Sequence, residues 1–175
     1  MSRSGGRTTG SDAAPRKAVK SAGATREITG GLAGNDLKIG IVVARFNEYI
    51  TRQMLDAAVG RLVELGVQRH GITVVWVPGS FELPVVAKKL AGVHDIDAVI
   101  TLGAVIEGET AHFEHVAHSA AEGILRASLD TGKPVIFGVL TTYDTGQAVA
   151  RIGHARGYAE AAIEMAGVLG QINSA

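Results

Sequence analysis

The residues with the most chemistry between them fall in one stretch, GAVIEGETAHFEHV, at Gly103–Val116. An apolar run that suits a strand gives way there to apolar positions at helical spacing. A Gly-rich turn, Thr110 and His112 stand at the junction. Backbone N–H groups in such a turn, together with a helix N-terminus, suit an anion such as a phosphate. The positive end of a helix dipole disfavours a cation, so a His in the first turn stays available as a base. A phosphate cradle and a proton-transfer group are thus expected side by side.

Three further polar clusters follow apolar runs. Arg45-Phe46-Asn47 offers a flat aromatic face suited to a planar heterocycle, although a Phe in a loop can also simply anchor it to the core. Pro78-Gly79-Ser80-Phe81-Glu82 brings a carboxylate that can bind a polyol through several hydroxyls, while Ser80 alone would read as a helix N-cap. Thr141-Thr142 closes the set. His112, His115 and His118 invite a metal reading, but on a helix the third points about 120° away from the first. With no HExxH and no cysteine, no metal is expected, and His115 and His118 read as surface or interface residues. Arg151 reads locally as a solvated charge.

These clusters need a scaffold that brings them together. The runs Leu37–Ala44, Ile72–Val77, Ala98–Leu102 and Pro134–Leu140 read as strands buried on both faces, as in a parallel sheet. Each precedes a helical pattern. Met54, Ala58 and Leu62 mark the first stripe, and Leu83, Val86 and Leu90 the second, with Lys88 and Lys89 outward. Val116, Ala120 and Ile124 beside Ala117, Ala121 and Leu125 mark the third. Asp144 and Gln147 form a capping box for a fourth helix, and 158–172 read as a fifth with Ile163 and Ala166 inward. Strand–helix alternation predicts an α/β layered domain, and ligands in such folds bind at the carboxyl ends of the strands. All four polar clusters fall at that edge.

Composition narrows the classes. The chain of 175 residues suits one domain, and 46% hydrophobic residues suggest an apolar subunit interface as well as a core. Mean hydropathy is +0.21, yet no apolar run reaches the roughly 20 residues of a membrane span. Five per cent aromatic content argues against a stacking platform for nucleic acid. The net charge of zero divides unevenly, +4 over residues 1–35 and −4 beyond. Residues 1–25 read as a disordered basic tail and 26–175 as a single domain. An Arg- and Ser-rich start also fits organelle import, although a cytoplasmic location is expected. There is no GxGxxG after the first strand, no P-loop and no GxSxG, so dinucleotide, nucleotide and esterase readings lack their motifs.

Taken together, ARFN at 44–47, PGSFELP at 78–84, Gly103–Val116 and GVLTT at 138–142 resemble the 6,7-dimethyl-8-ribityllumazine synthase family. The similarity runs in order from about Ile28 to Ile172. It implies a flavodoxin-like three-layer sandwich with a four-stranded parallel sheet. The reaction implied joins 5-amino-6-(D-ribitylamino)uracil to 3,4-dihydroxy-2-butanone 4-phosphate, the penultimate step of riboflavin biosynthesis, without a cofactor. By position, Phe46 and Asn47 would meet the pyrimidine. Gly79, Ser80, Phe81 and Glu82 would hold the ribityl chain, and Ala104, Val105 and Ile106 would border the ring. Gly108, Glu109 and Thr110 would cradle the phosphate, and His112 would move protons.

The resemblance further implies pentamers with sites at subunit interfaces, where a neighbour supplies Phe137 and the phosphate-binding Arg151. Arg26–Leu32 would add a strand to the neighbouring sheet. Arg156 is the nearest counterpart of a family lysine that approaches the pyrimidine, and Glu107 stands where many relatives have a basic residue. Riboflavin synthase is a candidate partner; nucleic acid and membrane are not expected. Whether pentamers assemble further is open. Two alternatives stand beside this reading: a non-catalytic flavin- or lumazine-binding or shell-forming relative, and a flavodoxin-like electron carrier. The second lacks a phosphate loop after the first strand.

Overall fold

Apolar runs and amphipathic segments alternate in the computed structural model as β1 (Ile39–Ala44), α1 (Glu48–Glu64), β2 (Ile72–Val77), α2 (Leu83–Ala91), β3 (Ala98–Ile106), α3 (His112–Thr131), β4 (Val135–Thr142), α4 (Thr145–Ala150) and α5 (His154–Asn173). Residues 25–174 are described; all but the last residue of the tail expected over 1–25 lies outside them. The strands form one parallel sheet in the order β2-β1-β3-β4.

Alternate residues of each strand enter opposite cores, as the period of two requires. Ile39, Ile41, Val43, Ile100 and Leu102 pack with Met54, Ala58 and Leu62 of α1 and Ala159 and Ile163 of α5. Val42, Ala44, Val99 and Val139 pack with Leu83 and Ala87 of α2 and Ile124 and Ala127 of α3. The fold is therefore a three-layer α/β sandwich. Gly123 lets α2 and α3 cross closely, since a Cβ there would come 2.7 Å from Pro84. No helix among the described residues is long and apolar enough to cross a membrane.

Several expectations shift. The third strand does not end at Leu102 but continues to Ile106, because Gly103 and Ala104 are small for a packing reason rather than a turn. A Cβ on Gly103 would come 2.5 Å from Ser80 Oγ. The fourth strand likewise takes in Thr141 and Thr142. The fifth helix starts at His154, earlier than 158, with the solvent-facing Gly157 inside it. β2 is an edge strand, and its Thr73 and Val74 are exposed rather than buried on both faces. On α3 the buried stripe is Ala120, Ile124 and Ala127; Ala121 and Leu125 face outward. Within this chain Arg26–Leu32 forms no strand. Its glycines favour strands weakly, and it lies along α5, where Gln171 Nε2 donates to the Thr29 carbonyl (2.9 Å) and Arg26 Nη2 to the Gln171 carbonyl (3.1 Å).

Candidate active site

Each strand delivers its polar cluster to the carboxyl edge, and the connections there are pinned by backbone geometry. After β1, the Arg45 N–H donates to the Val77 carbonyl (2.8 Å) and the Phe46 N–H to the Pro78 carbonyl (3.0 Å), lashing the first loop to the second. Asn47 adopts the left-handed conformation, φ 60° and ψ 42°. Its Nδ2 donates to the Ala104 carbonyl at 2.8 Å, tying the same loop to β3. The buried Thr51 Oγ1 donates to the Ala44 carbonyl (2.7 Å) and secures the start of α1. Phe46 is thereby held 70% exposed, which rules out the core-anchor reading and leaves its ring face open.

After β2, Ser80–Glu82 forms a single 3-10 turn leading into α2, with Pro84 in the first helical turn where its missing N–H leaves no gap. Ser80 is buried against Gly103 and makes no side-chain cap, so the N-cap reading does not hold. Phe81 is exposed and Glu82 half-buried.

After β3, residues 107–111 turn into α3, which begins at His112. The Glu107 N–H donates to the Thr142 carbonyl (2.9 Å), fixing the start of that turn to β4. The His112 N–H makes a long contact to Thr110 Oγ1 (3.4 Å). After β4, Thr142 Oγ1 donates to the Asp144 carbonyl (3.1 Å), and Asp144 caps α4 as expected, although the reciprocal bond of the capping box falls one residue before the cap, on Tyr143. Asp144 Oδ1 accepts from the Gln147 N–H (2.8 Å) and Gln147 Oε1 accepts from the Tyr143 N–H (3.3 Å).

The first three connections enclose one cleft of about 680 Å³. Of the residues singled out from sequence, Phe46, Gly79, Ser80, Phe81, Glu82, Val105, Ile106, Gly108, Thr110 and His112 line it. Asn47 and Ala104 lie behind that wall, bonded to each other. Glu109 is on the lining loop but turned out of the cleft, and Glu107 is exposed beside it.

Three others are not brought to the cleft of their own chain. Phe137 lies midway along β4, opposite Thr101. Arg151 closes α4, its Nη1 donating to the Gln147 carbonyl (2.9 Å). Arg156 grips the Glu64 carboxylate through two N–H groups at 3.2 and 2.6 Å. Arg61 bonds the same carboxylate, and the two guanidiniums, Arg156 first, hold the Glu64 carboxyl down at about 2. The fork is engaged there on a carboxylate across an exposed ion pair.

Sequence reasoning missed Phe113, His115 and Val116, which join His112 in the α3 wall of the cleft. His115 is therefore not simply a surface residue. The signal was its spacing, since residues three apart share a helical face. His118 turns away instead and lies 3.7 Å from Glu122. Among the described residues no group of three or more His, Cys, Asp and Glu is placed to hold a metal ion.

A cleft with an aromatic face, a carboxylate, an N–H-rich turn and an imidazole can hold a heterocycle with a polyol arm beside a phosphate, and can move protons between them. Over residues 36–170 the sequence matches the family model described as 6,7-dimethyl-8-ribityllumazine synthase. That match covers most of the chain, including every loop of the cleft, and the chain belongs to the 6,7-dimethyl-8-ribityllumazine synthase family.

Proposed function

We propose that the protein condenses 5-amino-6-(D-ribitylamino)uracil with 3,4-dihydroxy-2-butanone 4-phosphate. The products are 6,7-dimethyl-8-ribityllumazine, phosphate and two waters, in the penultimate step of riboflavin biosynthesis. One observation carries the reading: Phe46, Glu82, Thr110 and His112, contributed by three separate strand-end loops, line a single cleft. In this scheme the pyrimidine stacks on Phe46 with its edge toward the backbone of Val105 and Ile106. The ribityl chain runs to Ser80, Phe81 and Glu82, and the phosphate sits at Gly108–Thr110. Asn47 shapes the pyrimidine pocket from behind.

The amine adds to the ketone carbon, water leaves to give an imine, phosphate departs with loss of a neighbouring proton, and ring closure expels the second water. Substrate and product have the same oxidation level, so no redox cofactor is required. Holding amine and ketone together removes several kcal/mol of entropic barrier. Proton transfer by His112 adds a further factor of about 10²–10⁴. Positioning dominates, because phosphate is already a good leaving group.

The site is completed in a homo-oligomer built on pentamers, with Phe137 and Arg151 supplied by a neighbouring copy. Arg156, occupied by Glu64, is left out of the scheme. A cytoplasmic location fits such a biosynthetic step. Mixing the protein with both substrates and following the visible absorbance of the lumazine tests the reading. Stoichiometric lumazine and phosphate are expected. No product together with tight flavin binding would instead establish a non-catalytic flavin-binding relative.

A further inference from the structure

Four residues of α3 face the cleft, His112, Phe113, His115 and Val116, and two of them carry imidazoles. Positions three apart on a helix bring Cβ atoms within about 5–6 Å of each other. Both rings are exposed, and among the described residues neither is engaged in a side-chain hydrogen bond or ion pair. Two other histidines are occupied, His118 beside Glu122 and His94 bonded to Asp95 at 3.0 Å, while His70 and His154 lie outside the cleft lining. Among the described residues the cleft's only other titratable side chain is Glu82, from the 3-10 turn facing α3. Glu109 on the adjoining loop and Glu114 on α3 are exposed outside the lining.

We propose that His115 is a second catalytic proton carrier of this cleft, working as a pair with His112. The inference rests on the condensation reading above. When the amine adds to the ketone, the new N–C bond forms and the C–O π pair moves to oxygen. That oxygen must gain a proton while the nitrogen loses one. One imidazole cannot be acid and base in the same instant, but two can. The protonated ring gives its proton to oxygen and the neutral ring takes one from nitrogen.

The exchanged pair is then set for dehydration. The newly protonated ring gives its proton to the hydroxyl, which leaves as water. The nitrogen lone pair forms C=N, and the other ring takes the remaining N–H proton. Both rings end as they began, with one water released. Ring closure expels a second water: the ribitylamino nitrogen gives up its single N–H as it adds, so in that dehydration one ring protonates the leaving hydroxyl while the other takes the proton of a uracil ring N–H.

The test compares wild type with His115→Gln, His115→Phe, His115→Ala, His112→Gln and the His112→Gln/His115→Gln double variant in steady-state and single-turnover lumazine formation across pH. Both rings are exposed, so these substitutions leave the fold intact. His115→Gln and His115→Phe should lower kcat on the order of 10²-fold and remove one limb of a bell-shaped pH profile. KM for either substrate should stay within about twofold. Added imidazole should partly restore His115→Ala. The double variant should be little slower than His112→Gln, as expected for groups acting as one unit.

Unchanged kcat with an unchanged pH profile in a turning-over protein would overturn the inference alone. So would a raised KM at constant kcat, which marks a binding contact. A wild type that forms no lumazine would instead bring down the functional reading, and this inference with it.

Discussion

Asn47 carries the loop that presents Phe46, and it does so in the left-handed region, at φ 60° and ψ 42°. For most L-residues that conformation costs roughly 1–2 kcal/mol; Asn and Gly are spared most of it. Its Nδ2–Ala104 hydrogen bond at 2.8 Å is partly buried and contributes about 0.5–1.5 kcal/mol. Asn47→Ala loses both terms and should destabilise by about 1.5–3.5 kcal/mol. Asn47→Gly loses the hydrogen bond but keeps the backbone. Its further cost is about 0.4–1 kcal/mol through the freer unfolded chain.

The alanine variant should therefore be the less stable of the two by roughly 1 kcal/mol, although Gly is ordinarily the worse residue by about 0.5–1 kcal/mol. Urea unfolding at a fixed protomer concentration reads this directly. With a slope of about 2 kcal/mol per molar, the midpoints should differ by about 0.5 M. Equal midpoints, or a lower one for Asn47→Gly, would refute the claim that left-handed geometry sets the residue here. Both variants should raise KM for the pyrimidine substrate more than for the phosphate ketone, since the loop that moves carries Phe46.

Three further outcomes are expected. His112→Ala should slow single-turnover condensation by about 10²–10⁴-fold yet keep a measurable rate above the uncatalysed mixture; complete loss in folded protein would overturn the ranking of positioning over proton transfer. Glu64, held at about 2 by Arg156 and Arg61, binds its proton less readily folded than unfolded. It thus contributes stability above its ordinary value of 4.5 and gives it up as pH falls from there toward 2. Acid titration followed by circular dichroism should show a shallower loss for Glu64→Gln across that window. Lys133 Nζ donates to the carbonyls of Val93 and Ile96, each at 2.7 Å, and more distantly to His94 (3.4 Å). Lys133→Met should cost about 1–3 kcal/mol, with Tm falling roughly 2–4 °C per kcal/mol in a thermal melt.

What the sequence disclosed followed from how each signal is encoded. Strand–helix alternation and buried stripes such as Met54, Ala58 and Leu62 are periodic, so fold class and core were legible from one chain. The cap that Asp144 places on the Gln147 N–H is local and was legible for the same reason. Gly103 was not. A glycine that admits Ser80 from a distant loop looks, in sequence, like a glycine that makes a turn. Leu125 was misleading in the opposite sense: 60% exposed on α3, it widens an apolar stripe that the core does not use. His115 was visible by its spacing, yet placing it needed the 3-10 turn packed opposite. Arg156 was legible as a charge but not as Glu64's partner, because that contact spans 92 positions of sequence.

Charge is the step that links the single chain to the proposed assembly. The turn proposed to hold the phosphate carries Glu107 and Glu109, and no Lys or Arg lines the cleft among the described residues. N–H groups at a helix N-terminus can orient a phosphate, but they supply only about half a positive charge. A dianion in a cleft that holds no Lys or Arg among the described residues, at a turn whose Glu107 and Glu109 face outward, therefore calls for a cation brought from outside. Arg151 suits that role better than Arg156. Its guanidinium is exposed and, among the described residues, bonds only the Gln147 carbonyl, so most of its donors can form a fork on a phosphate. On the proposed pentameric arrangement, Arg151→Ala should raise KM for the phosphate ketone and inhibition by free phosphate should weaken, while pyrimidine binding is retained. Equal weakening of both substrates would show that Arg151 holds the assembly together rather than the phosphate.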